Sequence, residues 1–210
     1  MLTPTSQHSP KKIDIRPCLF PPLSHFVVPE NCVCNIDIDR KWDKRDKSTH
    51  RYEIADVNGP ISLTVPVMKP DSFSEARLKD IHLSRHGQWW HVHKFTLESA
   101  YGRTPYFEHY FPLLEKFFDA DTVERYPLLY SYLQATYTSI SRLLDIDTKF
   151  EISESEDQSM IFEPDSLSLK YHQIREDLLG FIPNLSVLDI LFNIGPETQL
   201  YLRNLRNKAA

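Results

Sequence analysis

The segment between Gly87 and Tyr110 concentrates aromatic rings, imidazoles and a proline break in 24 residues. It contains His91 and His93, and five of the nine histidines of the chain lie between His82 and His109. An imidazole can exchange a proton near neutral pH or bind a transition metal. The segment therefore predicts a site for acid–base chemistry or ligand binding, provided that neighbouring elements bring these side chains together.

Helical geometry limits what the two close histidines can do together. Apolar and small residues recur at three and four positions and predict one face of a helix that Gly102 ends: Trp89, His93, Thr96, Leu97 and Ala100. On such a helix His91 and His93 point about 200° apart, so they cannot bind one ion together and we expect no metal site. Either one histidine is packed and the other exchanges protons in a cleft, or both are structural.

Other catalytic signatures are weaker. Glu108 follows an aromatic pair on an early helical turn, where it can take part in catalysis or simply stabilise the helix dipole by about 0.3–1 kcal/mol. The chain has no Gly-x-Ser-x-Gly elbow, and its five glycines form neither a P-loop nor a dinucleotide fingerprint. We therefore expect no serine hydrolase and no bound cofactor.

The charge is distributed unevenly along the chain. The net charge of −5 argues against a general nucleic-acid binder. The segment from Arg40 to Arg51 nevertheless carries six Lys/Arg against two Asp. Such a segment can hold an anionic ligand such as a nucleotide sugar, or it can be a solvated rim.

Length and composition indicate a single intracellular domain. A chain of 210 residues is long enough for one sizeable core. No apolar run approaches the roughly 20 residues of a membrane-spanning helix, and the polar start lacks the apolar stretch of a secretory signal. Cys18, Cys32 and Cys34 match no zinc motif and are expected to be buried thiols. We predict a cytoplasmic protein with a mobile tail at residues 1–12 and one domain over residues 13–210.

Periodicity predicts an α+β fold with a β-rich N-terminal part, a helical C-terminal part and one shared core. Alternation from Cys32 to Ile38 predicts a half-buried strand, and Asn58-Gly59 predicts a tight hairpin turn. A second helix is expected to start at Thr104-Pro105, and a longer one after Pro127. Ser186 followed by Asp189 predicts a cap for a helix over Val187 to Asn193.

The motifs of this chain resemble those of the WbqC-like family, from about Pro17 to Arg203. Their matching segments are Asn58-Gly59-Pro60, Leu63-Thr64-Val65-Pro66-Val67, His86-Gly87-x-Trp89-x-His91-x-His93, Ser99-Ala100-Tyr101, Thr104-Pro105-x-Phe107-Glu108-x-Tyr110, Pro183-Asn184-Leu185-Ser186 and Asp189-x-Leu191-Phe192-Asn193-x-Gly195-Pro196-Glu197. A family segment Lys-Gln-x-Tyr-Arg-Asn-Arg is altered here to Arg45-Asp46-Lys47-Ser48-Thr49-His50-Arg51, so only its closing arginine remains.

This resemblance implies a role in surface-polysaccharide synthesis of the O-antigen type, such as transfer from an activated sugar. The alternative is a non-catalytic protein of the same pathway that binds a glycan or holds other enzymes. The candidate catalytic residues are His91, His93 and Glu108, and the candidate substrate-binding residues are Arg45, Arg51, Trp89 and Tyr101. A nucleotide sugar or a glycan is the expected ligand.

Overall fold

The computed structural model describes residues 11–28, 32–146, 148–154 and 170–209, and it confirms the predicted α+β class. The strands are β1 (Lys11–Asp14), β2 (Cys32–Asp37), β3 (Arg51–Asp56), β4 (Gly59–Thr64) and β5 (Lys149–Ser153). The α-helices are α1 (Trp89–Tyr101), α2 (Phe107–Leu114), α3 (Thr122–Arg125), α4 (Leu129–Leu143), α5 (Glu176–Leu179), α6 (Val187–Ile194) and α7 (Thr198–Ala209). Short 3-10 helices span Leu23–Phe26, Leu78–Asp80, His86–Gln88, Glu115–Phe117 and Gly195–Glu197.

Three strands form a parallel sheet in the order β1-β2-β5. Ile13 pairs with Cys34, which in turn pairs with Phe150 of β5. The prediction that β2 is half-buried is wrong, because its first five residues are all buried. A central strand of a parallel sheet is covered on both faces, so the alternation in the sequence did not mark a solvent-exposed face.

The predicted hairpin is present as β3 and β4, in antiparallel register from Arg51↔Thr64 to Asp56↔Gly59. Its two loop residues are Val57 and Asn58 rather than Asn58 and Gly59. The positive φ of +117° falls on Gly59, and the backbone N–H of Asn58 donates to Asp56 Oδ1 at 2.7 Å. An aspartate that caps its own turn in this way makes the loop stable without two left-handed residues.

Helix α1 has the predicted bounds, whereas α2 begins later than predicted. Both the backbone amide and the hydroxyl of Thr104 donate to Tyr101 O, at 2.8 Å and 2.7 Å, so Thr104 closes the end of α1. Helix α2 then starts at Phe107 and ends at Leu114, two residues after the internal Pro112. A proline cannot donate the helical hydrogen bond, so α2 lacks one bond of its ladder at Pro112.

One hydrophobic core joins both parts of the chain, as predicted. Helix α4 packs on the sheet, where the Tyr137 and Phe150 rings stack at 4.7 Å. All eight residues of α6 are buried, and Phe192 contacts Tyr101 at 5.3 Å and Phe107 at 5.0 Å. The predicted cap of α6 is confirmed, because Ser186 Oγ accepts from Leu188 N.

The predicted tail at residues 1–12 lies mostly outside the described residues, and β1 begins at Lys11, two residues inside that stretch. Across the described part of the chain, no helix is both long and apolar enough to cross a bilayer.

Candidate functional site

The basic segment that follows β2 lines two adjoining clefts. The larger cleft has a volume of about 370 Å³, and it is lined by Lys41, Trp42, Asp43, Lys44, Arg45, Phe73 and Ser74. The smaller cleft has a volume of about 140 Å³, and it is lined by Arg16, Pro17, Arg40, Lys41, Trp42, Asp43, Asp46, Thr49 and Leu78. Lys41, Trp42 and Asp43 line both clefts, so the two clefts adjoin, and together they are called the depression.

The parallel sheet explains why these residues meet. β1 and β2 run in the same direction, so the chain leaves both strands at the same edge of the sheet. Arg16 follows β1 and Arg40 follows β2 by two or three residues, and both reach the smaller cleft. Ligands of sheets with parallel strands commonly bind outside the carboxyl ends of the strands.

Backbone hydrogen bonds fix the segment that carries the cations. Trp42 N donates to Ala76 O at 2.8 Å, and Leu78 N donates to Arg40 O at 2.9 Å. These bonds hold residues 40–42 against residues 76–78. The loop just before residues 76–78 carries Phe73, which also lines the larger cleft.

The larger cleft combines positive charge with aromatic rings. Lys44 Nζ lies 5.3 Å from the centroid of the Phe73 ring, and Lys69 Nζ lies 6.0 Å from it. Arg45 pairs with Asp43, whose carboxylate accepts from the Arg45 backbone amide at 2.9 Å and from the guanidinium at 3.2 Å. These bonds, the backbone one first, lower the pKa of Asp43. Such a cleft can bind an anion while a ring of the ligand contacts an aromatic face.

Trp42 is held in place by a buried histidine. The rings of Trp42 and His50 lie 5.6 Å apart, and both side chains are buried. Burial, with Lys47 and Arg51 nearby, lowers the pKa of His50 to about 4. His50 is therefore neutral at neutral pH, and its Nδ1 has no partner among the described residues. The indole wall of both clefts thus rests on an uncharged imidazole.

His93 lies in the interior with both ring nitrogens occupied. Its Nε2 contacts the carbonyl oxygen of Thr64 at 3.1 Å, and its Nδ1 contacts the hydroxyl of Tyr52 at 3.1 Å. A carbonyl can only accept, so Nε2 carries the proton and Nδ1 accepts from Tyr52. Burial lowers the pKa of His93 to about 4. This arrangement joins α1 to both strands of the hairpin.

Arg51 and Trp89 lie next to this interior histidine. Arg51 Nε donates to Thr64 Oγ1 at 2.8 Å, so Thr64 contacts both Arg51 and His93. The Trp89 ring lies 5.1 Å from His93, and its Nε1 donates to Ser84 O at 2.9 Å. The structure thus brings three of the predicted site residues together, but none of them lines either cleft.

His91 and Glu108 are exposed, and in the described part of the chain neither forms a hydrogen bond or a ring contact with Arg51, Trp89 or His93. The His91 ring contacts Trp90 at 6.0 Å, and Glu108 lies in the first turn of α2. Of the seven residues selected from the sequence, only Arg45 lines the larger cleft. The local charge pointed to this segment, whereas no sequence signal pointed to Phe73 or Arg16, because each comes from another part of the chain.

Tyr101 belongs to a second polar cluster, around Asp189. The carboxylate of Asp189 accepts from Tyr101 Oη at 2.7 Å, Tyr171 Oη at 2.6 Å and Gln173 Nε2 at 3.1 Å. Burial raises the pKa of Asp189, although the hydrogen bonds from these donors oppose that effect. Tyr101 Oη also accepts from Ala55 N at 3.2 Å. From its position in the sequence, Asp189 was interpreted only as part of a helix cap.

The space beside this cluster is small. It measures about 10 Å³ and is lined in part by Arg175 and Gly180. A water molecule needs roughly 10–15 Å³ of such space, so there is room for about one. The saturated hydrogen bonds of Asp189 and this small volume indicate that the cluster joins elements and does not bind a large ligand.

Comparison with known proteins gives one match. The model of the WbqC-like protein family matches residues 17–163. This range includes both strands of the hairpin, α1, α2 and every lining residue of the two clefts except Arg16, while the motifs between Pro183 and Glu197 lie beyond it. No curated protein and no solved structure matches the chain.

Proposed function

The chain belongs to the WbqC-like protein family, and from this premise we propose that it acts in the cytoplasm in surface-polysaccharide biosynthesis, as a transferase that binds an activated sugar in the larger cleft. The supporting observation is the composition of that cleft. Lys41, Lys44 and Arg45 surround a space of about 370 Å³ that also has two aromatic walls. Phosphate and a sugar or base ring are the two groups that such a lining binds.

Arg45 is the predicted substrate-binding residue that keeps this role in our proposal. Its guanidinium is oriented by Asp43, so it is preorganised to bind phosphate oxygens on its remaining N–H groups. Arg51, Trp89 and His93 stabilise the hairpin against α1, and Tyr101 holds Asp189. Of the two candidate histidines, His91 is the exposed one, but it lines neither cleft, so the base of the proposed transfer reaction is a carboxylate of the clefts.

Calorimetric titration of the full chain with UDP-glucose and UDP-galactose tests the binding. We expect Lys44→Ala and Arg45→Ala each to weaken binding about ten-fold, because each removes a charge-assisted contact worth about 1.5 kcal/mol. Binding is also expected to weaken as salt is added. The matched control is Lys149→Ala, an exposed lysine at the start of β5, at the opposite end of that strand from the clefts. No binding, or equal affinities for all four proteins, would contradict the proposal.

A non-catalytic glycan-binding or scaffolding role is the second candidate. It is favoured by His93, whose two ring nitrogens are already occupied, and by the position of both histidines outside the clefts. Release of UDP from UDP-glucose in the presence of mono- and oligosaccharide acceptors separates the two roles. UDP release that requires an acceptor supports a transferase, whereas tight binding without any UDP release supports the second candidate.

A further inference from the structure

We propose that the smaller cleft is the subsite for the sugar ring of the ligand, so that the larger and smaller clefts together bind one sugar whose anomeric carbon carries phosphate. This inference rests on the proposed function, because it assigns the two parts of the same ligand to two parts of one depression. Its carrying observation is that the two clefts share Lys41, Trp42 and Asp43.

The balance of charge sets the orientation of the ligand. In the larger cleft three cations face one carboxylate, Asp43. In the smaller cleft three cations face two carboxylates, and the guanidinium of Arg16 lies 3.9 Å from Asp46. Phosphate therefore binds better in the larger cleft. Carboxylates such as Asp46 repel phosphate, but they accept hydrogen bonds from sugar hydroxyls.

Asp46 is rigidly positioned for such a contact. Its Oδ1 accepts from the backbone amide of Ser48 at 3.2 Å and from the Ser48 hydroxyl at 2.6 Å. Asp46 is half-buried and its side chain lines the smaller cleft. A carboxylate that is fixed in this way loses little conformational entropy when a ligand hydroxyl binds to it.

The size of the smaller cleft fits one ring. A volume of about 140 Å³ corresponds to on the order of ten water molecules at 10–15 Å³ each, and a hexose has a similar number of heavy atoms. The Trp42 side chain provides an apolar wall at the junction of the clefts, backed by His50 at 5.6 Å. Lys41, which also lines both clefts, is placed to bind the phosphate at the link between ring and anion.

Three ligands separate the parts of the depression: UDP, UDP-glucose and glucose 1-phosphate, each titrated into the full chain. UDP fills only the larger cleft, so we expect UDP-glucose to bind at least ten-fold more tightly. Glucose 1-phosphate distinguishes the source of the anion. If glucose 1-phosphate binds as tightly as UDP-glucose, the ligand is a sugar phosphate. If glucose 1-phosphate binds more weakly, the nucleoside adds contacts. In both cases a weaker binding of the ligand to Asp46→Asn supports the sugar subsite.

Asp46→Asn keeps the shape of the side chain and an oxygen for Ser48, but it removes the charge. We expect this variant to lose the difference between UDP-glucose and UDP without any loss of affinity for UDP, because the change removes a negative charge and no contact with the phosphate. Thr49→Val, at another position in the wall, is a second variant in case Asp46→Asn fails to fold, and Lys44→Ala should weaken both ligands equally. Equal affinities of the wild-type protein for UDP and UDP-glucose would overturn the subsite but leave the phosphate site standing. Binding of none of the three ligands would overturn the proposed function itself.

Discussion

Thr64 shows how a single residue can connect two chemical groups without forming a reaction site. Its carbonyl accepts from His93 and its hydroxyl accepts from Arg51. Arg51 and His93, two side chains chosen from the sequence, are therefore neighbours. They are neighbours because they hold a hairpin on a helix, and the buried imidazole remains neutral.

The buried histidine makes stability depend on pH. Burial lowers the pKa of His93 from its usual 6.5 to about 4 in the folded protein. Between these values the unfolded chain binds more protons, so stability is lost as the pH falls from about 6.5 towards 4. At pH 5 the loss from His93 is up to about 2 kcal/mol. We expect urea unfolding at pH 7 and pH 5 to show a smaller difference in His93→Gln than in the wild-type protein.

The matched control for that measurement is His91→Gln on the exposed face of the same helix. It should unfold with the pH dependence of the wild-type protein. If both variants reduced the stability difference between pH 7 and pH 5 equally, a global charge effect, and not the burial of His93, would cause the pH dependence.

At the scale of elements, two turns contain a glycine with positive φ, and the two positions differ in the space available for a Cβ atom. Gly59 in the hairpin has a φ of +117°, and a Cβ there would meet no atom within 4 Å. Gly195, the first residue of the 3-10 helix that follows α6, has a φ of +51°, and a Cβ there would lie 2.5 Å from the Tyr106 ring. Backbone strain alone acts at the first position, and strain with a steric clash acts at the second.

Alanine substitutions at these glycines should therefore differ in their cost. We expect Gly59→Ala to lower the free energy of unfolding by about 1–2 kcal/mol, and Gly195→Ala by a further 1–3 kcal/mol or so because the core is overpacked. Chemical denaturation of the two variants beside the wild-type protein measures both values. If Gly195→Ala proved no more destabilising than Gly59→Ala, the Tyr106 ring would have to move aside freely.

At the scale of the whole molecule, the sequence predicted those features whose causes lie close together along the chain. The bounds of α1, the Ser186 cap and the hairpin follow from residues only a few positions apart. The parallel sheet was missed because β2 pairs with β5, more than 110 residues later, and alternation in β2 looks the same for a strand covered on both faces. The charge of Arg40–Arg51 left an anion site and a solvated rim both open, and the clefts also need Arg16 and Phe73, which only the folded chain brings near.

The three cysteines report on the integrity of this whole fold. All three are buried, and burial raises the pKa of Cys18 and of Cys34 to about 12. The thiolate is the reactive form, so native thiols should react with Ellman's reagent only as fast as the protein unfolds. We expect little reaction in buffer and reaction of all three in concentrated guanidinium chloride. Rapid labelling of any thiol in the native protein would show that the sheet opens locally.

The contacts of Asp189 show that the fold needs the chain beyond residue 170. Its carboxylate accepts hydrogen bonds from the hydroxyls of Tyr101 in α1 and of Tyr171, and Asp189 belongs to α6, in which every residue is buried. The match to the family model stops at residue 163, whereas the hydrophobic core continues beyond it. A fragment that ends at residue 163 would lack α6, which packs on α1 and α2, and the Tyr101 hydroxyl would lose its acceptor Asp189. The end of the family match is therefore not the end of a stable fragment.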